Sequence, residues 1–289
     1  MSTAIKDKFD DLLWHDAMLL SVAIDRRSPG DRDEVELIIR WADGQRERLV
    51  FTKCRALDAQ LNFGSFGSES IQRAECLTDS SQIEVIRRDW AGFAIDFSSL
   101  RSFELETNRT GSRVSIVAPD LEFREPPDSS WFSPRKPDDE DKTSASPDER
   151  TIKERFDDFV WHDATLLWIE VDRRDPGHRD EIVVVVEWPD TRRNRLIFTN
   201  CYLFEARMNF GIIALESILD ANCGTNTPEV ARVRENCRRQ GADLTDLHCF
   251  EIETNSTGGT IRIVACGFEV HAPPDDSWFP PREPEDEDP

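Results

Sequence analysis

The sequence lacks the residue patterns that most often identify an enzyme. It contains no Cys-x-x-Cys pair, no glycine-rich loop of the kinds that bind phosphates or dinucleotides, and five histidines in 289 residues. A metal ion needs about four to six donor groups held together, and the histidines do not recur as such a set. From these absences we expect no metal, no cofactor and no enzymatic activity.

Basic residues are scarce relative to acidic ones. The chain has 36 lysines and arginines against 58 aspartates and glutamates, which gives a formal net charge of −22. A protein that binds the backbone of DNA or RNA needs clustered Lys and Arg to displace counterions. The charge therefore argues against a nucleic-acid partner, and it suits either a basic protein partner or simple solubility.

Long apolar runs are missing as well. No stretch approaches the length of about 18 apolar residues that a membrane-spanning helix requires, so we expect no membrane partner. The first residues, MSTAIKDKFDD, have no apolar stretch after their charges, so we expect no secretory signal. The seven cysteines form no closely spaced pairs, and we interpret them as reduced thiols of a cytoplasmic protein.

The chain does contain one unit written twice. A shift of 147 residues aligns residues 5–141 with residues 152–288 without a gap, and about 46% of the aligned positions are identical. The matches include FDDLLWHDAMLL from Phe9 and FDDFVWHDATLL from Phe156. Because each unit is far longer than the roughly 20 to 50 residues of a solenoid repeat, the pattern predicts two homologous domains.

The segment between the units is rich in Pro, Asp, Glu and Ser, a composition that buries too little apolar surface to fold. We predict a first repeat domain at residues 1–132, an acidic linker at 133–150, a second repeat domain at 151–280 and an acidic tail at 281–289. Each domain is long enough to bury a core of its own. We therefore expect two separate globules joined in series, although their contact as an intrachain pseudo-dimer stays open.

The first half of each repeat has the pattern of strands. EVELIIRW places Val35, Leu37 and Ile39 on one face, and this period of two marks a half-buried strand. The Asp-Gly of ADGQ predicts a hairpin turn. RERLVFTKC and ALDAQLNFG then follow as a third and a fourth strand.

After the fourth predicted strand, the spacing of the apolar residues changes to that of helices. GSESIQRAECL (residues 67–77) and IEVIRRDWAGF fit short helices, and TPEVARVRENCRRQG adds a Thr cap, an early Pro and a late Gly. SFELETN and RVSIVAPDLEF close the unit as a hairpin. This order predicts an α+β fold with two homologous domains, each an antiparallel β-sheet with one or two helices packed on one face.

The repeated Trp-His-Asp motif is the first candidate site. A His-Asp pair can begin a metal site, but no other histidine is shared between the repeats, so too few ligands are available. We interpret Trp14 as a core anchor, Asp16 as a cap of the backbone entering the first strand, and His15 as a locally bonded residue. The second repeat has the same structural motif at Trp161, His162 and Asp163.

The alternating ELETN strand is the second candidate. Glu104, Glu106 and Asn108 share one face, and their counterparts are Glu251, Glu253 and Asn255. Such a face fits a solvated sheet surface, a docking surface for a basic partner, or acid–base chemistry. We take these six residues as the candidate binding residues.

WHDAMLL, followed by an alternating strand, an acidic and basic turn, W-x-D-G and L-V-F, resembles a group of small bacterial domains. These domains open with Trp/Phe-His-Asp and occur among the immunity proteins of polymorphic-toxin systems. The resemblance covers residues 12–71 and 159–218 and implies a small cytoplasmic protein that neutralises a toxin by binding it. It identifies no toxin-binding residue, because none follows a transferable motif.

The sequence leaves three functions open. The favoured one is a non-enzymatic cytoplasmic binding protein, an immunity protein for a basic toxin domain. The alternative is a tandem module that binds a small ligand between its repeats. A carboxylate-dependent hydrolase that combines His15, Glu104 and Glu106 in one pocket is less favoured.

Overall fold

The protein folds mainly as antiparallel strands. The computed structural model describes residues 2–30, 33–63, 70–92, 97–125, 150–175, 177, 180–210, 216–255 and 258–272. Of these residues, 51% lie in strands and 15% in four helices. Within the same residues, no helix is long and apolar enough to cross a membrane.

The first repeat forms two helices and eight strands. They are α1 (Ser2–Asp10), β1 (Met18–Asp25), β2 (Glu34–Arg40), β3 (Arg46–Thr52), β4 (Ala56–Asn62), β5 (Ile71–Leu77), α2 (Ser81–Asp89), β6 (Arg101–Thr107), β7 (Arg113–Ala118) and β8 (Asp120–Arg124). The strands predicted over RERLVFT and ALDAQLN are confirmed as β3 and β4.

The second repeat forms the same elements 147 residues later. They are α3 (Ile152–Asp157), β9 (Thr165–Asp172), β10 (Glu181–Glu187), β11 (Arg193–Asn209), β12 (Ile218–Gly224), α4 (Pro228–Arg239), β13 (His248–Thr254) and β14 (Thr260–His271). Strand β11 corresponds to β3 and β4 joined end to end, and β14 corresponds to β7 and β8. The duplication seen in the sequence is therefore a duplication of structure.

The predicted α+β fold class is wrong. All fourteen described strands belong to one antiparallel sheet that curls into a half-barrel. The helices are short, and α2 and α4 each pack on the outward side of the sheet through a small apolar cluster, α2 through Ile83 and Ile86 and α4 through Val230 and Val233. Because the curled sheet closes most of the core by itself, no helical layer is needed to cover it.

One predicted helix is a strand. Residues 71–77 form β5, which pairs with β6, and the register shifts between Ile71 and Arg73. This bulge puts one extra residue between Ile71 and the next inward positions. The inward residues Ile71 and Ala74 therefore have the spacing of a helix face, which explains the wrong prediction. The other two helices are confirmed as α2 and α4, with Thr227 as the cap of α4.

The two repeats join through their backbones at two places. Strand β1 pairs with β9, centred on Ala23 opposite Glu170, and β4 pairs with β11, centred on Ala59 opposite Ala206. Each central pair joins two residues that are 147 positions apart. The contacts therefore have the self-complementary form of a twofold dimer interface, here within one chain.

The repeats also share one core. A single cluster of buried apolar side chains extends through both repeats and includes Phe9, Phe103, Phe156 and Phe250. The expected pair of separate cores in series is therefore not what the structure has. The predicted linker at 133–150 and tail at 281–289 lie almost entirely outside the described residues, so their boundaries stay predictions.

A buried ionic network lies at the junction. Arg26 is 0% exposed and donates to Asp33 Oδ1 and to Glu216 Oε2 of the second repeat, both at 2.7 Å. Its guanidinium lies 4.7 Å from the ring centroid of Phe210. Its backbone N–H donates to the carbonyl oxygen of Leu167 at 2.9 Å. Arg26 therefore ties the first repeat to three residues of the second.

We expect Arg26→Met to lower the free energy of unfolding by about 3–5 kcal/mol, because two buried carboxylates would lose their shared cation. Urea unfolding followed by tryptophan fluorescence measures this loss. The control Arg207→Met removes a cation that is 83% exposed and should cost about 1 kcal/mol or less. Neutralising the carboxylates as well, in Arg26→Met/Asp33→Asn/Glu216→Gln, should restore part of the loss. Equal stability of Arg26→Met and Arg207→Met would contradict the role of the network.

Candidate functional site

The two aromatic residues of the FDD-x-x-WHD motif lie in the core. Phe9 is 0% exposed and Trp14 is 6% exposed, and their ring centroids lie 4.8 Å apart. The indole N–H of Trp14 donates to the carbonyl oxygen of Phe9 at 2.8 Å. Phe156 and Trp161 repeat this arrangement at 4.7 Å and 2.9 Å. The motif therefore folds the chain between α1 and β1 back onto the core.

The first Asp of the motif covers a strand edge. Strand β5 lies at one end of the sheet, and Asp10 Oδ1 accepts from the backbone N–H of Cys76 in β5 at 2.8 Å. Lys6 Nζ donates to the carbonyl oxygen of Cys76 at 2.6 Å. An open edge strand is a template for unwanted pairing, and these side chains occupy its backbone groups. In the second repeat, Asp157 and Lys153 hold Cys223 in the same way.

The His-Asp pair lies in an exposed turn. Asp16 and Asp163 have positive φ angles of 66° and 65°. His15 Nδ1 lies 2.9 Å from Asp16 Oδ2, and both side chains are more than half exposed. Within the described residues, the Asp16 side chain contacts His15, and no hydrogen bond joins it to the backbone of β1, as the predicted cap would require. His162 lies 3.8 Å from Asp163 and contacts the carbonyl oxygen of Leu219 at 3.1 Å.

The pair does not assemble with other chemical groups. Within the described residues, no group of three His, Cys, Asp or Glu could hold a metal ion. In the same part of the chain, no contact joins His15 to Glu104 or Glu106, the other members of the hydrolase hypothesis.

The candidate glutamates lie on one broad face. Strands β5, β6, β7, β4, β11, β14, β13 and β12 are hydrogen-bonded neighbours in that order, and the junction of the repeats lies at the centre. We call the outward side of these eight strands, with β11 taken from residue 201 and β14 up to residue 266, the platform face; α2 packs on it around Val117, and α4 packs on it around Leu203 and Val264. Its carboxylates are Asp58, Glu75, Glu104, Glu106, Glu205, Asp220, Glu251 and Glu253, and its strand arginines are Arg73, Arg113, Arg207 and Arg262. Among these strand residues, acidic ones outnumber basic ones two to one, and α4 adds Arg232 and Glu229, which pair with Glu205 and Arg262.

Two pairs of like charges face each other across the strands. Glu75 lies opposite Glu104 in the first repeat, and Asp220 lies opposite Glu253 in the second. Glu75 pairs with Arg73, and Glu104 accepts from the hydroxyl of Ser102 at 3.3 Å. Like charges directly opposite each other destabilise a sheet by roughly 0.2–1 kcal/mol. The platform face therefore carries repulsion that a cation from outside would relieve.

The candidate asparagines take a separate position. Asn108 and Asn255 are exposed at the ends of β6 and β13. The backbone N–H of Asn108 donates to the carbonyl oxygen of Ser70 at 2.9 Å, and that of Asn255 to Ser217 at 2.8 Å. They tie hairpin ends to neighbouring chain segments.

The thiols are held in their neutral form. Six of the seven cysteines are buried, and all seven are free. Burial raises the pKa of Cys76 to about 11 and that of Cys223 to about 12. Cys223 Sγ lies 3.8 Å from Nδ1 of His248, whose pKa is lowered by burial. A thiol and an imidazole that are both neutral are the opposite of the thiolate–imidazolium pair that a cysteine nucleophile needs.

One cavity lies between the repeats, and sequence reasoning did not find it. Its volume is about 290 Å³, and it opens beside α4 at the end of β4. The walls are Asn62, Arg109, Thr110, Tyr202, Arg232, Val233, Asn236, Cys237, Arg239 and Gln240. No repeated motif includes its three arginines, so the comparison of the repeats gave no signal for it.

Comparison with protein-family models, curated proteins and solved structures found no match to this chain.

A second buried acidic group lies near the junction. Asp180 is 8% exposed, and its Oδ2 accepts from the N–H of Gly177 at 2.8 Å. Its other oxygen, Oδ1, is buried and makes no hydrogen bond within the described part of the chain. Burial raises the pKa of Asp180 from 3.8 to about 6. Its counterpart Asp33 shows the same rise even though it accepts from Arg26.

The hydrogen bond by which Asp10 covers the edge of β5 gives one test of the FDD-x-x-WHD motif. We expect Asp10→Ala to lower the free energy of unfolding by about 1–3 kcal/mol, because the N–H of Cys76 would lose its acceptor. The neighbouring Asp11→Ala is the matched control, since Asp11 is exposed, and it should change stability by about 0.5 kcal/mol or less. Urea unfolding measures both. Equal losses would show that general charge near α1 matters rather than the cover.

The raised pKa of Asp180 gives a pH dependence. Its stabilising contribution is complete below about pH 4 and is lost as the pH rises through 6, because only the folded state resists ionisation. From pH 4 to 7, Asp180→Asn should therefore gain up to about 3 kcal/mol relative to the wild type. Urea unfolding at several pH values measures the gain. Asp190→Asn is the control, because hydrogen bonds from Arg192 lower the pKa of Asp190 below 3.8, so its contribution changes only below about pH 4 and its difference from the wild type should stay flat from pH 4 to 7. A flat difference for Asp180→Asn would refute the assignment.

Proposed function

We propose that this protein is a non-enzymatic binding protein of the cytoplasm that neutralises a basic protein by direct contact. The Trp-His-Asp resemblance suggests the class, namely immunity proteins that mask a toxin domain. The seven free cysteines support a reducing compartment. The observation that carries the proposal is the placement of like charges opposite each other on the platform face, where Asp220 and Glu253 make no ion pair within the described residues.

The platform face is partly covered by helices. Helix α2 packs on Val117 of β7, and α4 packs on Leu203 of β11 and Val264 of β14, all on the outward side. Laid flat, eight strands of about seven residues would measure about 34 Å by 23 Å. The area left for a partner is therefore smaller than the roughly 800 Å² that each partner gives to a standard interface. A partner would bind the carboxylates of both repeats in the parts that the helices leave open.

The charges on this face suit a basic partner. Asp220 and Glu253 make no ion pair within the described residues, and Glu253 is exposed. A Lys or Arg placed between them would remove their repulsion and gain two attractive contacts. The net charge of −22 would also steer a basic protein toward this chain at long range.

The pseudo-twofold arrangement adds specificity. Glu104 and Glu106 lie on one side of the central β4–β11 pair, and Glu251 and Glu253 lie on the other. A partner with basic residues at matching spacing would meet both clusters at once. Partners with only one basic cluster would gain about half of the attraction.

A charge-neutralised variant tests the proposal. Tagged wild type is used to isolate a partner from a lysate of the source organism, and the purified partner is then titrated calorimetrically. We expect Glu104→Gln/Glu106→Gln/Glu251→Gln/Glu253→Gln to bind at least tenfold more weakly, because the charge-assisted contacts would be lost. Higher salt should weaken binding of the wild type more than that of the variant.

A second quadruple variant controls for net charge. Asp43→Asn/Glu122→Gln/Asp158→Asn/Asp190→Asn changes the total charge by the same amount, also with two sites in each repeat. None of these residues lies on the platform face. We expect it to bind like the wild type. Equal weakening by both variants, or the absence of any specific protein partner, would refute the proposal.

A further inference from the structure

We propose that the cavity between the repeats binds a small multivalent oxyanion, such as a phosphate or diphosphate group. The cavity adjoins the platform face, because its Arg232 pairs with Glu205, but it includes none of Glu104, Glu106, Glu251 and Glu253, so this inference does not rest on the proposed protein partner. It depends on three arginines, Arg109 of the first repeat and Arg232 and Arg239 of α4, that line one small volume in an otherwise acidic molecule.

The walls come from both repeats. The first repeat supplies Asn62 at the end of β4 and Arg109 and Thr110 in the hairpin between β6 and β7. The second repeat supplies Tyr202 from β11 and a face of α4. The site is fixed by the junction itself, where the N–H of Phe63 donates to the carbonyl oxygen of Tyr202 at 3.0 Å. The cavity is therefore built on the rigid sheet rather than on a single loop.

The arginines determine the ligand class. Guanidinium groups bind phosphate and carboxylate oxygens through two parallel N–H donors. Arg109 makes no ion pair within the described residues. Arg232 pairs with Glu205 at 2.5 Å, and Arg239 pairs with Glu235 at 3.1 Å. Two carboxylates against three guanidinium groups leave one positive charge in excess, and a divalent or trivalent anion would outcompete the carboxylates for them.

Neutral donors complete the site. The side-chain amides of Asn236 and Gln240 and the hydroxyl group of Tyr202 line the same volume. Burial, together with the nearby thiols of Cys266 and Cys237, raises the pKa of Tyr202, so its hydroxyl stays protonated and able to donate. At about 290 Å³ the cavity suits a small ligand rather than a peptide or a polymer.

The pseudo-twofold-related position, on the other side of the junction, does not carry the same residues. At the positions 147 residues away from Arg109, Arg232 and Arg239, the sequence has Ser256, Val85 and Gly92. The fold needs none of the three arginines, because the corresponding elements form without them. Their presence together on one side is therefore a feature that the duplicated scaffold does not require.

The single tyrosine of the chain gives a direct reporter, since it lines the cavity. Incorporating 3-fluorotyrosine into the full chain produces one ¹⁹F resonance, which is followed during titration with sodium pyrophosphate at constant ionic strength. We expect a saturable shift with pyrophosphate, a weaker one with inorganic phosphate and none with chloride. Citrate is the control for ligand class, because it carries several negative charges but no phosphate group. Saturable binding of citrate would point to a polycarboxylate ligand instead.

Substitutions that should weaken pyrophosphate binding and one that should strengthen it test the site. Arg109→Gln and Arg232→Gln should each weaken pyrophosphate binding about tenfold, because each removes charge-assisted hydrogen bonds. Glu205→Gln should strengthen it, because it frees Arg232 from its carboxylate partner. Arg73→Gln, an exposed arginine of the platform face, is the matched control and should bind like the wild type. The absence of a saturable shift, or an equal loss in Arg73→Gln, would overturn the site while leaving the protein-binding proposal untouched.

Discussion

The backbone pairing of the two repeats is the constraint on which the rest of the structure depends. Each repeat presents two strands to the other, β1 and β4 from the first and β9 and β11 from the second. Hydrogen bonds join β1 to β9 and β4 to β11. The pairing merges two apolar interiors into one core and places eight strands side by side. It also brings Arg26 to Glu216 and builds the cavity from residues of both repeats. The platform face and the cavity thus follow from one interface.

The duplication and many strands could be predicted from the sequence, because both depend on local patterns. The alternation of Val35, Leu37 and Ile39 is visible in any single copy, and all three are fully buried. The class of fold could not be predicted in the same way. It depends on how far the sheet curls, and the bulge in β5 hid a strand behind the spacing of a helix. The joining of the repeats was also hidden, because a strand that pairs with its own copy has no special composition.

Some features of the candidate sites could likewise be predicted from local patterns, and others depend on the fold. Glu104 and Glu106 were predicted on one face because strand alternation alone decides it, and Glu251 and Glu253 follow from the duplication. Their like-charged neighbours, such as Asp220, became visible only with the register of the strands. The aromatic part of the Trp-His-Asp motif was expected in the core, whereas the role of Asp10 needed the position of β5. The arginines of the cavity come from segments more than 100 residues apart and have no shared pattern.

The pseudo-twofold junction has a consequence for how such a protein changes over time. In a dimer of two identical chains every substitution appears at both symmetric positions, so an altered pocket is altered twice. Fusion of the copies removes that restriction, and each half can then vary while the other preserves the scaffold. The placement of Arg109, Arg232 and Arg239 on one side alone fits this freedom. The two surfaces that arise from the duplicated unit can therefore carry different sites.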